Sequence, residues 1–268
     1  MSRSRNRAFW FFGIVVLVAL GLPAAVFFGL KDSVPPDPND VLQADSGGLA
    51  LATRNVEQLF WALENKRANG DLDDQRASDL LQQYARQQVE QVKRTGAEKE
   101  STFSFGELLR AGKLWPEAQQ VYEQVIKENP KNEDLFVNSK LRIAQCLAAQ
   151  GRVPEGLAAI RETFSASPGN KPPVLLGVYL DFTPVARGKG HDVEIAKVIR
   201  EAVNQHLEAS VNPASVAGQA FLGARRIHVQ RAFQVAIALL DQAQAVDLAS
   251  QYRMERDATL ERLKFVRP

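Results

Sequence analysis

An all-α chain, an N-terminal membrane helix followed by an α-solenoid of helical hairpins, is what this sequence predicts. Three observations carry that. First, a unit in Gly106–Asn170 is written twice at an offset of 38 residues, and a period in this range marks a stacked architecture. Gly106, Leu109, Ala111, Pro116, Glu117, Ala118, Tyr122, Pro130 and Asn132 recur as Ala144, Leu147, Ala149, Pro154, Glu155, Gly156, Ile160, Pro168 and Asn170. Second, the prolines fall where helices start or stop. Third, Ala8–Leu30 runs without a charged residue.

In chain order, residues 1–7 form a basic head with Arg3, Arg5 and Arg7. Residues 8–30 are long enough to cross a bilayer as a helix, since about 20 apolar residues span its core. Phe9, Trp10, Phe11 and Phe12 at one end and Phe27 and Phe28 at the other suit its boundaries. The run is too long for the apolar part of a cleaved signal, and its one small-x-small site contains Pro23. It therefore reads as an uncleaved anchor. The arginine head then stays in the cytoplasm and residues 31–268 lie across the membrane, which in a bacterium means the periplasmic side of the inner membrane.

Residues 31–48, with Pro35, Pro36 and Pro38, read as a linker. Residues 49–96 hold a helical pair. Val56, Leu59, Phe60 and Leu63 share a face of its first helix, Asn69-Gly70 breaks it, and a second helix runs from Asp73-Asp74 to about Lys93. The pair lacks small residues at its crossing and reads as an N-terminal cap.

Residues 97–170 contain the two repeats. Gly106, Ala118, Ala144 and Gly156 are small enough for two antiparallel helices to approach closely, and Leu109, Tyr122, Leu147 and Ile160 fill the space beside them. Pro116 and Pro154 sit in first turns, where no amide bond is lost. Pro130 and Pro168 stop the second helices. Residues 171–247 predict two divergent hairpins: an apolar segment 174–182, a long turn 183–191, and a helix from Asp192, whose carboxylate would cap it. A further pair follows, 214–228 and 230–246, with Ala217, Gly218, Ala220, Gly223, Ala224, Ala232 and Ala236 expected at close contacts. Residues 248–268 form a charged capping helix, as stacked repeats need at their ends.

The paired helices with these small and large positions resemble the tetratricopeptide repeat. From small residue to stop proline each unit runs 106–130 or 144–168, as in that family's roughly 34-residue motif, although four extra residues separate the units. Gly112 also comes one place earlier in its turn than Gly151. The resemblance implies a protein-binding groove lined by the first helix of each pair: Phe103, Glu107 and Arg110, then Asn138, Leu141 and Gln145. Some members grip a terminal carboxylate with a Lys/Asn clamp; Phe103 and Glu107 stand at those places here. A helix or an extended peptide is the expected occupant.

Composition narrows the function further. Beyond the head, 30 basic residues face 31 acidic ones, so the body has no basic footprint for nucleic acid. Arg225, Arg226, Ile227, His228 and Arg231 read as a solvated helix face. Cys146 is the sole cysteine and reads as buried. His191, His206 and His228 are scattered. Arg187-Gly188-Lys189-Gly190-His191 lacks the strand and spacing of a phosphate loop. No catalytic motif, metal site or cofactor is expected. The sequence thus points to an extracytoplasmic interaction scaffold or assembly factor and not an enzyme. The alternatives are an accessory subunit of a larger membrane complex and an envelope-polymer enzyme or its accessory.

Overall fold

A computed structural model describes residues 48–166 and 171–264. The head, the apolar run and nearly all of the linker lie outside them, as do Pro168 and Asn170. Every regular element described is helical. Among the described residues no helix is long and apolar enough to cross a membrane. The chain divides into two compact units, one holding Arg54–Leu81 and the other Gln82 onward with the first turn of α1.

The first unit contains most of α1 (Leu49–Ala68) and the start of α2 (Asp74–Thr95). Gly70 takes the left-handed conformation, φ 78°, that ends α1, and Asp73 Oδ1 accepts a 2.7 Å bond from the Arg76 amide at the start of α2. Leu59 and Leu63 are buried as their spacing predicts, but Phe60 points outward.

In the second unit, α3 (Thr102–Ala111) packs on α4 (Trp115–Glu128), α4 on α5 (Glu133–Ala149), and α5 on α6 (Val153–Glu162). The small residues act as expected. A methyl group on Gly106 would meet the Tyr122 ring at 2.7 Å, and one on Gly156 would meet the Ala144 carbonyl oxygen and the Phe182 ring, each at 2.8 Å. Ala118, Tyr122, Ala144 and Ile160 are fully buried. α4 ends at Glu128, where Asn129 bonds back to the Val125 carbonyl, and Pro130 follows. Asn132 and Ser101 cap α5 and α3 with their side chains.

One backbone turn joins each of these hairpins. The Leu114 amide donates to the Leu109 carbonyl at 3.0 Å and the Arg152 amide to the Leu147 carbonyl at 2.9 Å, the long bond of a Schellman end. The left-handed residue is Lys113 (φ 53°) in one and Gly151 (φ 83°) in the other, 38 positions apart. Gly112, whose shifted place breaks the sequence match, has an ordinary φ of −74°; it makes room for Arg86, whose Nε donates to the Gly112 carbonyl at 2.9 Å.

The rest departs from the sequence reading in four ways. The segment 174–182 is not a simple apolar helix: α7 (Lys171–Leu176) runs into a π-helical stretch, Gly177–Phe182, and then into α8 (Thr183–Ala186). Both the amide and the hydroxyl of Thr183 donate to the Val178 carbonyl, satisfying the wider turn. Second, Asp192 is the first residue of α9 (Asp192–Glu208) and not its cap; its carboxylate accepts from the Gly188 amide at 2.8 Å and closes the preceding loop. Third, nothing breaks the chain near 229. A single helix, α10 (Val216–Gln242), replaces the expected pair, and α11 (Val246–Lys264) packs against it. The α10–α11 turn repeats the Schellman bond, Ala245 to Leu240 at 2.9 Å, with Gln244 left-handed at φ 57° and buried Ala249 five residues on. Fourth, of the small residues expected at close contacts only Gly218, Ala232 and Ala236 are buried; Ala217, Ala220 and Gly223 are exposed.

Candidate functional site

The polar centre of the second unit is Glu107 on α3. Its Oε1 accepts from the Tyr122 hydroxyl at 2.6 Å and from Arg142 Nε at 2.9 Å, and its Oε2 accepts from Arg110 at 2.6 Å. Arg110 donates on to Gln145 Oε1 at 3.2 Å, and Arg142 to Asp181 Oδ2 at 2.7 Å. Helical spacing explains the convergence. Glu107 and Arg110 lie one turn apart on α3; Arg142 and Gln145 lie one turn apart on α5. Burial alone pushes the Glu107 carboxyl up, but the charges of Arg110 and Arg142, with hydrogen bonds from Arg110 and Tyr122, outweigh it and hold it below the usual range. Burial and then Glu107 push the Tyr122 phenol well up, so it stays a donor.

Beside this network is a recess of about 300 Å³ lined by Asn138, Leu141, Arg142, Pro173, Leu176, Gly177 and Asp181. Its wall is mostly apolar and its rim carries the Arg142–Asp181 pair. Gly177 lets Leu141 approach closely there, since a methyl group would meet the end of the Leu141 side chain at 2.8 Å and push it aside.

The six groove residues expected from sequence divide accordingly. Asn138 and Leu141 line the recess. Glu107, Arg110 and Gln145 brace it from behind, and only about a quarter of the Glu107 and Arg110 side chains is exposed. Phe103 stacks edge-on against Tyr122 at 5.5 Å. Leu141 and Gln145 are buried, at 5% and 7% exposure, so they shape the recess more than they project from it. Sequence reasoning missed Arg142 and Asp181. Arg142 sits one turn from the expected Asn138 and Gln145, which could have signalled it; Asp181 is turned toward it by the π-helical stretch, which no sequence period announces.

A second cluster lies between α9, α10 and the π stretch. His206 is 1% exposed, and neither ring nitrogen has a protein partner. Its ring meets Phe221 edge-on at 4.7 Å and faces His228 at 6.5 Å. Burial, then the charges of Arg225 and His228, lower its pKa from 6.5 to about 4. Arg225 is half-buried and donates to the carbonyls of His206, Leu207 and Ala209 at 2.8–3.1 Å, closing the end of α9. His228 Nδ1 lies 3.0 Å from the Tyr179 hydroxyl. The expected solvated face of Arg225 to Arg231 is therefore partly structural.

Two other segments have plain roles. Lys189 Nζ donates to the Ala148 carbonyl at 2.6 Å, so the basic loop ties down the end of α5. Cys146 is fully buried, and burial pushes its thiol up to about 12, far from a reactive thiolate. Among the described residues no group of His, Cys, Asp and Glu is placed to hold a metal ion.

Neither protein-family models, nor curated proteins, nor solved structures yield a match to this chain.

Proposed function

We propose that the chain is a membrane-anchored interaction scaffold or assembly factor of the tetratricopeptide-repeat kind. Ala8–Leu30 spans a bacterial inner membrane with the arginine head in the cytoplasm. The helical body on the extracytoplasmic side holds an extended peptide or a helix of a partner protein beside α5. The observation supporting this reading is the convergence on one recess. Residues of α3 and α5, singled out by their place in the repeat, line it or brace it. A rim fixed by the Glu107–Arg142–Asp181 chain costs little further ordering when a segment docks, which favours binding. An apolar wall with a few polar groups at its edge suits a side chain flanked by backbone.

The test is a photo-cross-linker placed at exposed Asn138 of the full chain in native membranes. A discrete adduct with one protein is expected, reduced several-fold by Asp181→Arg. The same probe at exposed Glu123 on α4 should not give it. No adduct at Asn138, or an equal one at Glu123, would remove the recess from function.

A further inference from the structure

Phe60 and Trp61 on α1 are 39% and 56% exposed, and their rings meet edge-on at 5.2 Å. Their neighbours Leu59, Ala62 and Leu63 are buried, so α1 has an inner face that makes no use of this pair. Phe60 falls at a position whose spacing predicts burial, yet it lies outside beside Trp61. Two adjacent large rings in water are an uncommon expense of apolar surface in a protein.

We infer that this pair sits in the headgroup zone of the membrane that holds the anchor, seating the first unit on lipid. The inference rests on the reading of Ala8–Leu30 as a span. Three facts select lipid as the occupant. One is reach. Residues 31–48 separate the apolar run from α1, and a chain of that length reaches at most about 60 Å. Trp61 is 12 residues further along the helix, about 18 Å at its rise per residue. The tether thus keeps the pair within about 8 nm of the bilayer surface. The second is chemistry. A tryptophan joins a broad apolar ring to one N–H donor and concentrates where hydrocarbon meets headgroup. The third is charge. The exposed charged residues of α1 around the pair are Arg54, Glu57 and Arg67, and Arg67 is bridged to Glu64 at 2.9 Å and Asp74 at 3.4 Å. This mixed set has no block of like charge that would demand anionic lipid, so a phosphatidylcholine surface suffices.

The chain has three tryptophans, so Trp10→Phe with Trp115→Phe leaves Trp61 as the sole reporter in the full-length protein. The protein is reconstituted in phosphatidylcholine vesicles, plain or brominated at a shallow or a deep acyl position. Shallow bromine should quench Trp61 roughly twofold or more, deep bromine less, as for an interfacial ring. Unquenched emission from protein that floats with the vesicles overturns the inference and leaves the anchor standing. Protein that does not float removes both. If the double variant does not fold, the wild type is compared with Trp61→Phe, and the shallow-quenched emission should be the part that disappears; its persistence in Trp61→Phe overturns the inference equally.

Discussion

Mild acid should weaken this fold through His206, and replacing that residue with phenylalanine should remove the effect. His206 has no protein partner at either ring nitrogen, and a proton there would add a cation beside Arg225 and facing His228. Its pKa is lowered to about 4 in the folded chain, against 6.5 for a free imidazole. A depressed histidine pKa means the unfolded chain takes up the proton first. The penalty is absent above the unfolded value, starts as pH falls through 6.5, and stops growing below about 4. Its full size is about 3 kcal/mol, and at pH 5.5 it is about 1 kcal/mol. The assay is urea unfolding of wild type and His206→Phe at pH 7.5 and 5.5. Phenylalanine keeps a ring beside Phe221 but cannot titrate, so any change in absolute stability is separate from the pH dependence, which reports the proton alone. Carboxylates and the other histidines act in both proteins and cancel in the difference. Wild type should lose about 1 kcal/mol more than the variant between the two conditions. Equal losses would mean that His206 reaches water or a partner in the folded state, and the account of that cluster would fall.

Two further outcomes follow from the hairpins. Gly156→Leu forces side-chain atoms into the Ala144 carbonyl and the Phe182 ring, each already 2.8 Å from a first methyl carbon, and should cost about 1–3 kcal/mol or more in thermal unfolding; an unchanged melting temperature would refute the close crossing of α5 and α6. Gln244→Gly relieves a left-handed non-glycine residue and should raise stability by up to about 1 kcal/mol, less what glycine loses in chain entropy, whereas Gln244→Val should lower it. Stabilisation by valine would show that the turn is not left-handed.

The hairpins legible in the sequence are those whose crossings need a small residue and whose turns are flanked by proline. Gly106 and Gly156 announce themselves because a side chain there would strike a ring or a backbone oxygen. The third hairpin of this kind, α10–α11, has its break close to the expected one between 246 and 248, but its turn type was not readable. Its left-handed position holds Gln244 where the second holds Gly151, and no proline opens α11. Lys113 shows the same substitution in the first hairpin, where the recurring Pro116-Glu117-Ala118 still gave the turn away. The expected break near 229 failed because alanine and glycine at 217, 220 and 223 imitate a crossing while facing solvent. Around the recess, residues at helical spacing were readable, Asn138, Leu141 and Gln145 among them. Asp181 was not, because a π turn moves its direction off any α-helical period.

That π turn has a mechanical outcome. Tyr179 and Asp181 belong to one short stretch, the first pointing its hydroxyl at His228 and the second its carboxylate at Arg142. Pulling one contact apart by turning the stretch also shifts the other. Gly177–Phe182 therefore links α10 to α5 through side chains two residues apart, alongside α7, which packs on both helices.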